Sequence, residues 1–161
     1  MKKLIYTLLI IIALTNNSFA AGSSSDSDST PKASDYTKAK NLINAAKKYE
    51  KKGKIDKAQE RYAKAQKLLL KSNEIKPLQA DTLNYLGFTT RKLGDYEKGE
   101  KFYLLGLQVE PNHNGINEYL GELYVATNRM DMAKERLEVL KTCNCEEFNE
   151  LKEIIEGTKK S

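Results

Sequence analysis

The chain has 161 residues, with 27 Lys and Arg against 22 Asp and Glu, and it contains two cysteines, one histidine and no tryptophan. The sequence holds no zinc-type cluster, no glycine-rich phosphate loop and no recognisable nucleophile motif, so we expect neither catalytic activity nor a cofactor. Strong helix formers dominate, and no segment alternates apolar with polar β-branched residues. The composition therefore predicts an all-α fold.

The first twenty residues have the features of a signal peptide. Lys2 and Lys3 give a positive start, residues 4–14 are apolar, and the segment SFA ending at Ala20 offers small residues to a signal peptidase. The apolar run is about half of the roughly 20 residues that a membrane helix needs. A retained interfacial anchor is the alternative, whereas a lipid anchor is disfavoured because no cysteine lies near the cleavage point. We expect cleavage near Ala20 and a periplasmic or secreted protein.

Residues 21–34, AGSSSDSDSTPKAS, contain no large apolar side chain. Such a segment buries nothing that would offset the entropy lost on ordering it. We expect a disordered Ser-rich linker here, followed by a single domain over residues 35–161.

This domain repeats itself. A shift of 34 residues aligns equivalent small, bulky and proline positions: Leu86-Gly87 with Leu120-Gly121, Gly94 with Asn128, Gly99 with Ala133, and Pro77 with Pro111. An earlier copy aligns at an offset of 41: Ala46 with Gly87, Gly53 with Gly94, Ala58 with Gly99, Tyr62 with Tyr103, and Ala65 with Gly106. The seven extra residues are close to two helical turns, so we expect a longer second helix in the first copy, with its apolar face in phase.

The pattern Leu83…Leu86-Gly87…Gly94-Asp95-Tyr96…Gly99…Tyr103…Gly106…Pro111 resembles the tetratricopeptide repeat (TPR). In that family a bulky residue, Leu-Gly, an aromatic, Ala, an aromatic, Ala and Pro recur at set positions. The third copy departs from it at Cys145, where the family has proline. The resemblance, to a TPR protein of the small exported bacterial type, implies a helical-hairpin solenoid. We expect repeats at about 39–79, 80–113 and 114–147 and a capping helix at about 146–158, which makes seven helices.

Three glycines, Gly87, Gly99 and Gly106, lie inside predicted helices, where each costs about 1 kcal/mol relative to alanine. The TPR resemblance places small residues at these positions, so we expect neighbouring helices to approach closely there. Gly94 and Asn128 are expected in the left-handed conformation that ends one helix and turns into the next.

Cys143 and Cys145 are the only cysteines. After export they favour a local disulfide, because a turn brings cysteines two residues apart within bridging range. Two thiolates also suit copper(I) or zinc, with His113 as a candidate for a third ligand. A thiol-redox role is the third interpretation. The alternative function is therefore a soft-metal or thiol-redox carrier.

The TPR resemblance also implies a concave ligand groove lined by the first helix of each hairpin. The residues expected to face it are Lys40, Asn44, Lys47, Lys51, Asn84, Phe88, Arg91, Glu118, Glu122 and Val125. One TPR subgroup grips the C-terminal carboxylate of heat-shock chaperones with Lys, Asn and Arg at set groove positions. The corresponding positions here hold Ile43, Lys47, Tyr85, Gly115 and Tyr119, so that carboxylate clamp is not expected.

Charge is distributed unevenly along the domain. Residues 35–76 carry 13 Lys and Arg against 5 Asp and Glu, whereas residues 114–161 carry 7 against 10. For an exported protein, acidic peptides or an anionic envelope surface are better partners for the basic end than nucleic acid, which we do not expect. The sequence thus predicts a non-catalytic scaffold or adaptor for a protein or peptide in the bacterial envelope. Lys47 and Lys51 are expected in its groove, and Lys48 and Lys52 off it.

Overall fold

The computed structural model describes residues 34–159. The predicted signal peptide and residues 21–33 of the predicted linker lie outside the described residues. Within 34–159 every regular element is an α-helix, and none of the helices is both long and apolar enough to cross a membrane. The helices are α1 (Asp35–Lys51), α2 (Ile55–Ile75), α3 (Ala80–Lys92), α4 (Tyr96–Val109), α5 (Asn114–Ala126), α6 (Met130–Leu140) and α7 (Glu146–Ile155). The all-α prediction is confirmed for this part of the chain.

Consecutive helices form three hairpins that stack in chain order. Helix α1 packs on α2, α3 on α4 and α5 on α6, while α2 contacts α3 and α4 contacts α5. Helix α7 closes the end of the stack, and it packs more extensively on α5 than on α6. The architecture is therefore the expected helical-hairpin solenoid with a terminal helix.

Local chemistry sets the ends of several helices. The hydroxyl of Ser34 accepts a hydrogen bond from the N–H of Thr37 and caps α1, and the carboxylate of Asp95 accepts one from the N–H of Lys98 and caps α4. Between the helices of a hairpin, Gly94 and Asn128 have φ values of 97° and 59°. The prediction of a left-handed conformation at both positions is confirmed.

The core of the first hairpin follows from helical spacing. Ala39, Ile43 and Ala46 lie four and three residues apart on α1, and all three are buried. They face α2, where Tyr62 and Leu69 are fully buried on the same cluster. Alternating small and large side chains let the two helices interdigitate, which is the packing that the repeat pattern predicts.

The second hairpin shows why its glycines are needed. A Cβ on Gly87 would lie 2.5 Å from Cδ1 of Tyr103, inside the contact distance of a ring that is fully buried. A Cβ on Gly99 would lie 3.1 Å from the carbonyl oxygen of Gly87 and 3.3 Å from the backbone nitrogen of Arg91. Helices α3 and α4 therefore approach backbone to backbone, and this close packing offsets the low helix propensity of glycine.

The seven-residue offset between the first two copies lies in α2. This helix has 21 residues, whereas α4 has 14. Leu69, in the added part, is fully buried like Ala65 one turn earlier. The extra two turns thus continue the apolar face, as the offset predicts.

The close approach of α3 and α4 makes a testable prediction at Gly87. The Gly87→Ala substitution should destabilise the fold by about 1–3 kcal/mol, because the added methyl group overlaps a ring that has no room to move. Equilibrium urea unfolding of the wild-type and substituted proteins measures this change.

The Gly87→Ala, Tyr103→Leu double variant is the control. Removing the ring relieves the overlap, so the double variant should lose less stability than the sum of the two single losses. Additive losses of stability would contradict a direct overlap between the added methyl group at position 87 and the ring of Tyr103.

Candidate functional site on the concave face

A depression of about 220 Å³ lies between α1, α3, α5 and α7. Its walls come from the first helix of each hairpin and from the terminal helix, so it is the concave face that the resemblance implies. The residues that line it are Lys47, Glu50, Lys51, Phe88, Lys92, Tyr119, Glu122, Glu150, Ile154 and Lys159.

Lys47 occupies the centre of this face. Its Nζ donates a hydrogen bond of 2.9 Å to the hydroxyl of Tyr119. The same nitrogen lies 4.7 Å from the ring centroid of Phe88 and 5.1 Å from that of Tyr119. Burial lowers the pKa of Lys47, while the nearby Glu118 and Glu122 oppose that shift. The ammonium group is thus held mainly by aromatic faces, and it forms no ion pair within residues 34–159.

A buried ion pair joins α3 to α5 beneath the depression. Nη2 of Arg91 lies 2.6 Å from Oε2 of Glu122, with side-chain exposures of 4% and 9%. Removing either partner would leave the other charge buried and unpaired, which is costly. Arg91 therefore connects two hairpins and is not available to a ligand.

Three carboxyl groups meet where α7 crosses α5. Glu118, Glu122 and Glu150 each place one oxygen within 4.8 Å of the others. Burial, together with Glu122 and Glu150, raises the pKa of Glu118 to about 9. Although burial of Glu150 acts in the opposite direction, Lys159 and the hydrogen bond with Glu118 hold its pKa below the usual value. At neutral pH the protonated Glu118 thus lies beside an ionised Glu150.

The other two carboxylates of this group have cationic partners. Glu122 pairs with Arg91, and Oε1 of Glu150 lies 2.8 Å from Nζ of Lys159. The proton on Glu118 removes the third charge. The group therefore balances its own charges, and it gives no reason to invoke a metal ion.

The structure narrows the predicted groove. Asn84, Phe88, Arg91, Glu118 and Glu122 are buried rather than open, and of these only Phe88 and Glu122 line the depression.

The other predicted groove residues, which are not buried, also divide. Lys47 and Lys51 line the depression, whereas Lys40, Asn44 and Val125 do not. At the end of the face formed by α5, the narrowing is caused by α7, which packs against the bare backbone of α5. Leu151 is fully buried, and its Cδ2 lies 2.5 Å from where a Cβ on Gly121 would be.

Six residues of the site were not among the predicted groove residues: Glu50, Lys92 and Tyr119 on the first helices of the hairpins, and three more in the terminal segment. Glu150, Ile154 and Lys159 reach the depression from α7 and the turn that follows it. The apolar spacing of α7 predicted a capping helix, but the spacing of apolar residues does not tell which polar neighbours reach the opposite wall.

Cys143 and Cys145 are joined by a disulfide in the loop before α7, with Cα atoms 5.2 Å apart. The intervening Asn144 has a φ of 49°, in the left-handed region that asparagine tolerates. Bonded sulfurs offer no thiolate to a metal ion.

His113 is engaged elsewhere. Its Nδ1 accepts the N–H of Ile116 at 3.2 Å, so Nε2 carries the proton and faces Oδ1 of Asp81 at 3.3 Å. Within residues 34–159, the structure does not bring His113 together with the two cysteines.

No family model and no curated protein matches the sequence, but solved structures match the fold. The Yersinia enterocolitica type III secretion chaperone SycD, in complex with a peptide of the translocator YopD, is 18% identical over 73% of this chain and 86% of that chain, with a TM-score of 0.51. The first TPR domain of Spaghetti (RPAP3), bound to an HSP90 peptide, is 23% identical over 78% and 96%, with a TM-score of 0.46. A TPR protein from Parabacteroides merdae is 16% identical over 75% and 61%, with a TM-score of 0.49. The likeness to SycD shows the fold alone, an all-α solenoid of helical hairpins.

The carboxyl group of Glu118 makes stability depend on pH. Its folded pKa lies above the ordinary value of 4.5, so its favourable contribution is complete below that value and is lost as pH rises toward about 9. The melting temperature should therefore fall by several degrees between pH 5 and pH 9. Glu118→Gln, which imitates the protonated group, should flatten this part of the profile, as measured by circular dichroism.

Glu146→Gln on the exposed side of α7 is the matched control. It removes the same formal charge and should leave the slope of the wild-type profile in place. A Glu118→Gln profile as steep as that of the wild-type protein would contradict a proton on Glu118.

The disulfide makes a separate prediction. Protein purified after export should resist alkylation until it is reduced, and then take up two alkyl groups, as read by intact mass spectrometry. Because the bond closes a loop of only three residues, reduction should lower stability by about 1–2 kcal/mol. Two free thiols that bind about one zinc or copper(I) ion in the exported protein would support the carrier function instead.

Proposed function

We propose that the protein is a non-catalytic interaction module, a scaffold or adaptor that binds a protein or peptide partner on its concave face in the bacterial cell envelope. The observation that carries this proposal is the cationic surface of the depression. Lys47 and Lys51 line it one helical turn apart, and neither takes part in an ion pair within residues 34–159.

The size of the depression favours a macromolecular partner. Its volume of about 220 Å³ is below the range of roughly 300–1,000 Å³ typical of pockets that enclose small molecules. A site of this size takes one or two side chains of a larger partner. The rings of Phe88 and Tyr119 supply the apolar contact that such a side chain needs.

Charge indicates which side chains the partner offers. The carboxylates of Glu122 and Glu150 are neutralised by Arg91 and Lys159, so they do not attract a cationic partner. The unpaired charges of Lys47 and Lys51 remain, on the basic α1. An acidic residue of the partner is therefore the complement of this site.

The envelope location rests on the predicted signal peptide, and the peptide partner is supported by fold analogy, which is an associational argument. SycD binds a peptide of the translocator YopD. Because the fold does not determine the ligand, the experiment has to test the two lysines directly.

The Lys47→Gln, Lys51→Gln double variant should lose its partner. Protein purified from the periplasmic fraction after chemical cross-linking should retain a specific partner in the wild-type form, with several-fold less in the variant. Raising the salt concentration should weaken the wild-type interaction, because exposed charges are screened beyond about 8 Å at physiological ionic strength. Quantitative mass spectrometry of the co-purified proteins gives the readout.

The matched control is the Lys57→Gln, Lys67→Gln double variant. Both lysines are exposed on α2, so the control removes the same charge away from the depression. Lys48 is unsuitable, because it shares a surface with Asn44, Lys47 and Lys51. Equal losses in the two double variants would show a non-specific basic surface, and no specific partner at any salt concentration would overturn the proposed function.

A further inference from the structure

The seven added residues of the first hairpin create a ledge at one edge of the stack. Residue 68 of α2 aligns with Val109, where α4 ends, so residues 69–75 extend beyond the length of the second hairpin. Helix α1 also begins one turn early, because Asp35 lies four residues before the counterpart of Ala80. Nζ of Lys71 lies 3.0 Å from Oδ2 of Asp35 and ties the two extended ends together.

Under this ledge lies a cleft of about 650 Å³, within the range of known ligand pockets. Its walls are the start of α1, the end of α2, the first turn of α3 and the loop between α4 and α5. The cleft shares no lining residue with the concave depression. Tyr36 and the 68% exposed Ile75 give it an apolar side.

The first turn of α3 opens into this cleft without a cap. Gln79, at the N-cap position, makes no side-chain hydrogen bond to the helix, so the N–H groups of residues 80–82 have no intrahelical or capping acceptor. Helices α2, α6 and α7 also lack a side-chain cap, so the bare turn is not a signal by itself. At α3, however, it coincides with a cleft and with a second unsatisfied group.

That second group is the hydroxyl of Thr82. The residue is 4% exposed, lines the cleft, and has no side-chain hydrogen bond to any residue in 34–159. Thr89 and Thr127, elsewhere in the stack, each donate their hydroxyl to a backbone carbonyl one turn earlier. Its oxygen is not among the fully enclosed side-chain atoms that lack a partner in residues 34–159, so it is reached from the cleft. Thr82 thus presents a donor to the cleft, next to the bare N–H groups of its own helix turn.

The charges around the cleft favour a neutral acceptor. Asp35 is paired with Lys38 and Lys71, and Asp81 faces His113. Glu110 and Lys76, of opposite sign, also line the cleft. A carboxylate ligand would gain from the N–H groups but would be repelled by Asp81 and Glu110, whereas a peptide carbonyl gains without that repulsion.

We propose that the cleft is a second binding site, which takes an extended peptide segment of a partner protein. A main-chain carbonyl oxygen of the segment accepts hydrogen bonds from the first-turn N–H groups of α3 and from the hydroxyl of Thr82. An uncharged apolar side chain of the same segment lies against Tyr36 and Ile75. The site is independent of the proposed function on the concave face, because the two share no residue.

Two small probes test this chemistry on ¹⁵N-labelled protein purified after export. N-methylacetamide carries a neutral peptide carbonyl, and acetate carries a carboxylate. Titration with N-methylacetamide should give saturable amide shifts at Ala80, Asp81 and Thr82, and acetate should give several-fold smaller shifts there. The first turn of α4, already capped by Asp95, is the internal control and should not respond.

Three variants separate the site from its surroundings. Gln79→Asp places a carboxylate at the N-cap, where it accepts hydrogen bonds from the first-turn N–H groups of α3. The probe shifts should therefore be lost, and the melting temperature should rise. Thr82→Val keeps the shape of the side chain but removes the hydroxyl, and it should weaken the response several-fold. Lys47→Gln, Lys51→Gln should leave the response unchanged, which distinguishes failure of this site from failure of the concave one.

Several results would overturn the proposal. These are the absence of a saturable shift with either probe, a stronger response to acetate than to N-methylacetamide, and a full response in Gln79→Asp. Nuclear Overhauser contacts between Thr82 and residues 21–33 in the absence of probe would assign the cleft to the chain's own linker, and they would also overturn the proposal of a partner segment.

Discussion

The contact between Leu151 and Gly121 determines how much of the concave face remains open. In the second hairpin, the equivalent glycine, Gly87, is covered by Tyr103 of its own hairpin. The third hairpin has Leu137 in place of that tyrosine, and the shorter side chain leaves the backbone of Gly121 to be covered by Leu151 of α7. Because α7 settles on α5, the terminal helix becomes a wall of the binding face as well as a cap.

The cluster of three carboxyl groups, on Glu118, Glu122 and Glu150, is a consequence of the same contact. Seating Leu151 on α5 brings Glu150, one residue earlier, against Glu118 and Glu122. Such a close group is stable only with a proton on one member and cations on the other two, which Arg91 and Lys159 supply. The acidic half of the chain thus uses these charges internally. Lys47 and Lys51, by contrast, form no ion pair within residues 34–159, so the charge count along the sequence overstates how acidic the far end of the binding face is.

The sequence predicted what depends on local pattern and did not predict what depends on remote neighbours. Helix type follows from spacing within a few turns of helix, while the left-handed residues Gly94 and Asn128 and the lengthening of α2 follow from comparing the repeat copies. The hydrogen bond from Lys47 to Tyr119 joins residues 72 positions apart, and it depends on how three hairpins stack. Periodicity tells which face of a helix is buried, but it does not tell which helix covers it. The wall contributed by α7 therefore appears only in the structure.

The lengthening of α2 shows how a repeat stack gains a second surface without disturbing its core. An α-helix completes one turn every 3.6 residues, so seven added residues rotate the apolar face by only about 20° from its original direction. Leu69 consequently stays buried on the line of Tyr62 and Ala65. Adding five residues instead would turn the following side chains by roughly 140° and expose them. The addition of seven residues therefore extends α2 beyond the neighbouring helices. The first turn of α3 borders the cleft beneath this extension, whereas a stack of equal hairpins would have no such overhang.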